Sequence, residues 1–409
     1  MESLAKNRTR WEESGFPGSS MDQPSKELID SMLRIRRELH RHPELAYAEV
    51  RTAALIRREL DRLGIRHVDG LAGGTGIRAE LGSEERLRPC VALRTDMDAL
   101  PIHEETGLPF ASREAGRMHG CGHDGHVAMM LGAAMLLKQM DLPGRVVLLF
   151  QPAEESGNGA ARMIADQALE GVSMIFAGHI DTHYPVGCFT VDSGLICSYT
   201  DPFTILIRGR GGHAARPHEA VDSIVVASNL VMNMQTLVSR QIDPSHAAVV
   251  TVGRLHAGTV HNVIAEQAVL DGTVRSTHPD TRKRILNGLQ RVIQGASDMC
   301  NAQITLTFAD GLPAVINDEE ASVIAREAAV QVVGAEGVVS QGAPSLGGED
   351  FAFYLQEIPG ALVRFGAARP PGQAGPAHSS RFDFDEDVLP LGARWLATVA
   401  RQALDVMNR

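Results

Sequence analysis

The chain is short of the residues that a disulfide framework, a nucleic-acid surface or a membrane span would need. Its five cysteines (Cys90, Cys121, Cys188, Cys197 and Cys300) are odd in number and widely scattered. That excludes a stapled mini-scaffold and fits reduced thiols in a cytoplasmic protein. Basic residues are also outnumbered, Lys+Arg 39 against Asp+Glu 50 for a formal net charge of -11, so no phosphate-neutralising excess exists and nucleic acid is excluded as a partner. Residues 1–21 mix charged and polar residues with Gly and Ser and lack the apolar run of a signal peptide or membrane span. No membrane partner is therefore expected, and residues 1–25 read as a loose N-terminal extension. Internal repeats and low-complexity segments are missing too. What remains is an ordinary globular composition, 44% hydrophobic and 22% charged, over 409 residues, enough for two or three domains at roughly 150 residues each.

Apolar residues at helical spacing run from Lys26 to Leu63, with a break where the proline of His42-Pro43 stops a helix. Strand-like runs then alternate with helices: Gly76 to Leu81, Cys90 to Arg94, helix Val127 to Met140, Arg145 to Phe150, helix Ala160 to Leu169, Met174 to Gly178. This alternation predicts an α/β fold, a mixed but mostly parallel sheet sandwiched by helices. From about residue 198 the order becomes strand (Pro202 to Arg208), helix (Ala220 to Val238), strand (Ala247 to Arg254), strand (Val263 to Thr273), helix (Asp280 to Met299), strand (Gln303 to Phe308). That is a ferredoxin-like βαββαβ unit. The economical reading is a catalytic domain made of residues 26–197 and 309–409 with residues 198–308 inserted. Gly74-Thr-Gly76 superficially matches a dinucleotide fingerprint but leads into a strand and not a helix, so nucleotide binding is dismissed.

Between Met118 and His126 the chain reads Met-His-Gly-Cys-Gly-His-Asp-Gly-His. Glycines let a backbone wrap closely, and Cys sulfur and His nitrogen are donors for zinc, cobalt, nickel or manganese. A plainer reading is a polar turn capping the helix that starts near Val127. Further donors follow predicted strands: Asp96 and Asp98, the vicinal Glu154-Glu155, and His179, with His378 in the closing segment. The carboxyl ends of strands in an open α/β sheet are where ligands bind, and this set can ligate two metal ions. Neighbouring residues on extended chain point oppositely, so one of the two glutamates can bind metal while the other handles protons.

The motifs Arg36-Arg-Glu-Leu-His-Arg-His-Pro-Glu44, Arg94-Thr-Asp-Met-Asp-Ala-Leu-Pro101, Met118 to His126, Gln151 to Glu155, Gly211-Gly-His-Ala-Ala215, Gly272-Thr-Val-Arg275 and Gly348-Glu-Asp-Phe351 occur in one order. In that order the chain resembles the dinuclear metal-dependent amidohydrolase and metallopeptidase family of aminoacylases, hippurate hydrolase and indoleacetyl-amino acid hydrolases. The resemblance implies a catalytic domain with an inserted lid that also mediates homodimerisation or a higher homo-oligomer. It implies Cys121, His123, Glu155, His179 and His378 as ligands of two divalent ions, zinc or manganese before cobalt or nickel, and Glu154 as general base. Asp96 stays outside the ligand set, and Asp98 orients a ligating imidazole. The expected substrate is a small N-acyl-L-amino acid with an acetyl, benzoyl or indoleacetyl group, cleaved by metal-activated water.

Within that scheme His213 is the candidate oxyanion donor, acting after lid closure or from the partner subunit; the plainer alternative is a turn histidine bonding its own loop. Arg275 can hold the substrate carboxylate in a bidentate fork, or else forms an inter-strand salt bridge. Asn262 can bond the substrate amide or carboxylate, and His218, Glu349 and Asp350 are further pocket candidates. Three rivals stay open: a dipeptidase or carboxypeptidase, a thiol hydrolase using Cys121 as nucleophile, and a metal-binding protein without turnover.

Overall fold

A computed structural model of the chain describes residues 24–83, 85, 88–156 and 158–408. Most of the expected N-terminal extension lies outside the described residues. Two helices, α1 (Lys26–Arg41) and α2 (Val50–Leu63), precede strands β1 (Arg66–Leu71), β2 (Gly76–Gly82) and β3 (Cys90–Asp96). Helix α3 (His123–Leu137), β4 (Arg145–Gln151), α4 (Gly159–Ala165), β5 (Met174–Pro185), β6 (Phe189–Thr190) and β7 (Gly194–Cys197) follow. The next stretch holds β8 (Tyr199–Arg208), β9 (Gly212–His213), α5 (Ser223–Gln241), β10 (Ala248–Ala257), β11 (Val263–Ile264), β12 (Gln267–Ser276), α6 (Pro279–Cys300) and β13 (Gln303–Phe308). The chain closes with β14 (Val315–Asn317), α7 (Glu319–Val333), β15 (Val338–Val339), α8 (Ala352–Glu357), β16 (Gly360–Ala368) and α9 (Val388–Met407).

An eight-stranded sheet in the order β1-β2-β4-β3-β5-β16-β6-β15 forms the main layer. Its centre, β4-β3-β5-β16, is parallel. Every residue of β3 and β4 is buried, as a parallel strand covered on both faces requires. One face packs on α1, α2, α3, α7 and α9, with Trp395, Phe176 and Phe365 at its centre; α4 and α8 cover the other. The second sheet, β10-β12-β8-β13, is antiparallel throughout. With α5 and α6 it has its own core, from Phe203 to Ala302. Its strand order is that of the ferredoxin-like unit. No described helix is long and apolar enough to cross a membrane.

Several boundaries differ from the sequence reading, each for a local reason. Helix α3 begins at His123 and not near Val127: Gly122, at φ +98, turns the chain in and its carbonyl accepts from Gly125 and His126. Gly125 has no room for a Cβ, which would sit 2.6 Å from Phe384. The last four residues of the motif, His123 to His126, are thereby the first turn of a buried helix. Strand β5 runs past His179 to Pro185 because β16 pairs alongside it, Arg364 opposite His179. The expected strand Val263 to Thr273 is split, since β11 leaves to pair His213 while β12 continues beside β8. Strand β1 was not expected; it is an edge strand whose exposed, polar face carries no apolar alternation.

Beneath α3 lies a buried charge network. Arg36 reaches Asp124 (3.3 Å), Asp383 and Glu386 (both 2.7 Å), and His40 Nδ1 lies 2.8 Å from Asp124 and its Nε2 3.3 Å from Glu104. Burial opposes the charge on His40, but Asp124 and Glu104 outweigh it and push the imidazole up to about 9. A histidine raised above its unfolded value, near 6.5, stabilises the fold fully below that pH and loses the contribution as pH rises through about 9. We predict that the stability advantage of the native chain over His40→Gln, measured by urea unfolding, is largest near pH 6 and shrinks by on the order of 2 kcal/mol by pH 10. A pH-independent difference would disprove the linkage.

Candidate metal centre

The donors arrive from five places. Asp96 and Asp98 sit at the end of β3, Glu154 and Glu155 on the turn after β4, His123 at the start of α3 and His179 within β5. His378 comes from a loop whose backbone is tied to the metal motif by His378 N donating to Gly120 O at 2.8 Å. Two non-glycine residues here take left-handed backbone, Ala153 at φ +56 and His378 at φ +64. Such strain persists only where surroundings impose it, and it gathers at functional sites.

All five expected ligands converge. Cys121, His123 and His179 place one donor atom each within 4.8 Å of one another, as do Cys121, Glu155 and His378. Glu155 Oε1 lies 3.8 Å from His123 Nε2 and 3.3 Å from His378 Nε2, and Cys121 Sγ is 3.5 Å from His179 Nε2. His123 Nδ1 donates to Asp98 O (2.9 Å) and His179 Nδ1 to Ile180 O (2.6 Å). Each ring therefore presents an Nε2 lone pair to the cluster. His123 Nε2 and Glu155 Oε1 are buried without a hydrogen-bond partner, a costly arrangement that a cation would relieve. Soft sulfur, imidazole and carboxylate together suit a divalent transition metal.

The neighbours of this cluster are committed elsewhere. His126 gives Nδ1–H to Asp96 (2.6 Å) and accepts Ile180 N on Nε2 (2.8 Å), so it has no lone pair to offer. The second Asp96 oxygen takes Arg94 at 2.8 Å. Asp98 accepts the backbone N–H groups of Glu154 and Glu155, both at 3.1 Å; it fixes the glutamate turn as well as the His123 ring. Arg94, wholly buried, also bonds Gln151 and Asp350 at 2.8 Å and lies 3.2 Å from Glu349. Burial, then the carboxylates of Glu349, Glu155 and Asp350, raise Glu154 well above the usual carboxylate range. Burial likewise pushes the Cys121 thiol up to about 12 and holds His179 well below its ordinary value.

A crevice of about 830 Å³ opens over the cluster, lined by Cys121, Glu154, Glu155, His179 and His378 on one side and by Thr200, Arg275, Leu312 and Glu349 on another. Arg275 bonds the Thr200 hydroxyl at 2.5 Å and no carboxylate pairs with it among the described residues. The inter-strand salt bridge considered for it is thus not formed. Glu349 lines the crevice, whereas Asp350 is buried behind it, holding Gln151, Arg94 and the Ala160 amide. His213 and Asn262 are exposed neighbours at the small antiparallel sheet of β9 and β11, away from the crevice; Ala214 N donates to Asn262 O, and His213 Nδ1 accepts Ala215 N. His218 is exposed on the short 3-10 turn Pro217–Glu219 that follows β9. Sequence reasoning gave Arg94, His126 and His40 no role of their own, since their partners Asp350, Ile180 and Asp124 are remote in sequence.

The pattern of "Peptidase family M20/M25/M40" matches residues 92–402. The chain is 39% identical over 380 residues to an N-acetyl-L-cysteine deacetylase of Bacillus subtilis, covering 92% of this chain and 89% of that protein. It is 39% identical over 386 residues to the IAA-amino acid hydrolase ILR1-like 2 of Arabidopsis thaliana, covering 93% and 87%. A crystal structure of a dinuclear metal-binding M20 peptidase from Bacillus subtilis superposes with a TM-score of 0.81 at 36% identity, covering 93% of this chain and 99% of that one. Because the Asp98 carboxylate holds the amides of the glutamate turn that carries Glu155 and lies 3.4 Å from His123 Nδ1, Asp98→Ala should weaken metal affinity about 10–100-fold, read by chelator competition. Unchanged affinity would deny Asp98 that role.

Proposed function

Since the chain belongs to peptidase family M20/M25/M40 and is a hydrolase acting on amides, we propose that its substrates are N-acyl-L-amino acids, cleaved to a carboxylic acid and a free amino acid. The observation that carries this reading is the half-buried Arg275, without a carboxylate partner among the described residues, facing the same crevice as Glu154, Cys121, Glu155, His179 and His378. A planar guanidinium is the natural partner for an amino acid's α-carboxylate. The relatives named for N-acetyl-L-cysteine and for IAA-amino acids support amino-acid conjugates with small or large acyl groups.

Cys121, His123, Glu155, His179 and His378 would hold two divalent ions, zinc or manganese before cobalt or nickel. Bound there, such ions supply Lewis acidity and lower the pKa of water. Glu154 accepts the proton of the attacking water; the C–N bond breaks and Glu154 returns that proton to the leaving nitrogen. His213, exposed on its own chain, is the oxyanion donor supplied by the lid of a second copy, with Asn262 beside it for the substrate amide. Residues 198–308 act as that lid and as the homodimer contact. Cys121 and His179 do not serve as a thiol dyad: burial disfavours the thiolate, and His179 spends its Nδ1 proton on a main-chain carbonyl.

Glu154→Gln should keep its metal, measured by elemental analysis, yet lower kcat about 10²–10⁴-fold. Equal loss of metal would point to Glu154 as a ligand. Chelation should abolish turnover; activity that survives would favour the thiol hydrolase. Arg275→Met should raise KM for N-acyl-amino acids about 10–100-fold, from a lost charged hydrogen bond, with no change on the corresponding carboxamides. For the lid, mixing inactive His213→Ala with inactive Glu154→Gln should restore activity through hybrid dimers, and no recovery would place His213 in its own subunit's site. Faster cleavage of unblocked peptides than of N-acyl-amino acids would instead favour a dipeptidase or carboxypeptidase.

A further inference from the structure

We propose that Glu49 is a positioning residue for Glu154, acting through the main chain of the turn that carries it; this rests on Glu154 being the general base. Glu49 is fully buried and lies at the N-cap position of α2, where a side chain would ordinarily bond the first amides of its own helix. It makes no such bond. Glu44 takes over that task, accepting Arg51 N at 3.0 Å and Thr52 N at 2.9 Å. Glu49 turns instead to the sheet edge, where Oε1 accepts Ala153 N at 3.0 Å and Oε2 accepts the Thr75 hydroxyl at 2.9 Å.

Ala153 is the left-handed residue immediately before Glu154. Its amide and those of Glu154 and Glu155 form three consecutive N–H groups, the first held by Glu49 and the other two by Asp98. Amides strung together through a left-handed residue make a concavity that favours oxygen acceptors, and here the acceptors are two buried carboxyl groups from separate segments. Those segments are themselves joined, Ala99 N donating to Glu44 O at 2.8 Å. Asp98 bonds only the residues after Ala153, and Gly159 N donates to the Ala153 carbonyl at 3.1 Å, so the amide on the N-terminal side of that strained φ is held by Glu49. Without Glu49 the turn has a route to relax toward ordinary backbone, carrying Glu154 off the position from which it reaches water.

Glu49→Leu should lower kcat about 100-fold, the usual cost of a misplacement of about 1 Å, while KM stays within about threefold and metal content is unchanged. Glu49→Gln keeps an acceptor for Ala153 N and should recover most of that loss, and Thr75→Val, which frees the far oxygen, should lose about 3–10-fold. The deciding measurement is a double-mutant cycle: if Glu49 acts through Glu154, adding Glu49→Leu to Glu154→Gln should cost little further activity. An equal cost in both backgrounds, an unchanged kcat, or loss of metal with loss of activity would each overturn the assignment. Should Glu49→Leu fail to fold, Thr75→Val carries the same cycle. If Glu154→Gln is itself fully active, the general-base reading has failed and not the Glu49 assignment alone.

Discussion

Two imidazoles give up their Nδ1 protons to main-chain carbonyls, His123 to Asp98 and His179 to Ile180, and that commitment governs the rest of the site. Once those donors are spent, the remaining lone pairs face one another beside a thiol and a carboxylate. The Cys121 thiol can donate to His179 Nε2 at 3.5 Å, but His123 Nε2 and Glu155 Oε1 are left without a hydrogen-bond donor. The fold tolerates this only because the carbonyls belong to rigid strands and turns, so the rings cannot rotate away. A cation is the kind of partner that such convergence of acceptors accommodates.

Around that core the charges are gathered about two arginines. Arg94 compensates Asp96, Glu349 and Asp350, and beneath α3 Arg36 compensates Asp124, Asp383 and Glu386. Each guanidinium is buried and fully engaged, the condition under which a buried ion is tolerable. The contrast with Arg275 is informative: half-buried and offered only a hydroxyl, it is the one of these three that has charge to spare for a substrate. The N-terminal helices take part as well. Arg36 and His40 brace the first turn of α3, and Glu49 reaches the turn after β4.

Much of the site was legible because its chemistry is concentrated in short motifs. The run Met118 to His126 and the pair Glu154-Glu155 name their own donors, and alternating apolar runs place them at strand ends. Supporting residues were harder to read. Arg36 and Asp124 are 88 positions apart, and Arg94 and Asp350 are 256 apart; nothing local marks them as partners, and their pairing follows from burial alone. The start of α3 was misplaced because Gly, His and Asp are poor helix formers, and packing against Phe384 and Ile180 overrode propensity. Strand β1 stayed hidden because an edge strand with a wet face has no apolar period to show.

The order of the strands bears on how the molecule is made. Strand β16 lies between β5 and β6 in the finished sheet, although some hundred and seventy residues separate it from either neighbour in a chain that emerges N-terminus first. His378 follows it later still. Cys121, His123, Glu155 and His179 all leave the ribosome before the second sheet has begun, yet their gap in the sheet is filled and their fifth companion arrives only after that sheet has been made. The donor cluster thus waits on a later stretch of chain, and a product broken off before residue 360 would carry four of the donors without the means to close around them.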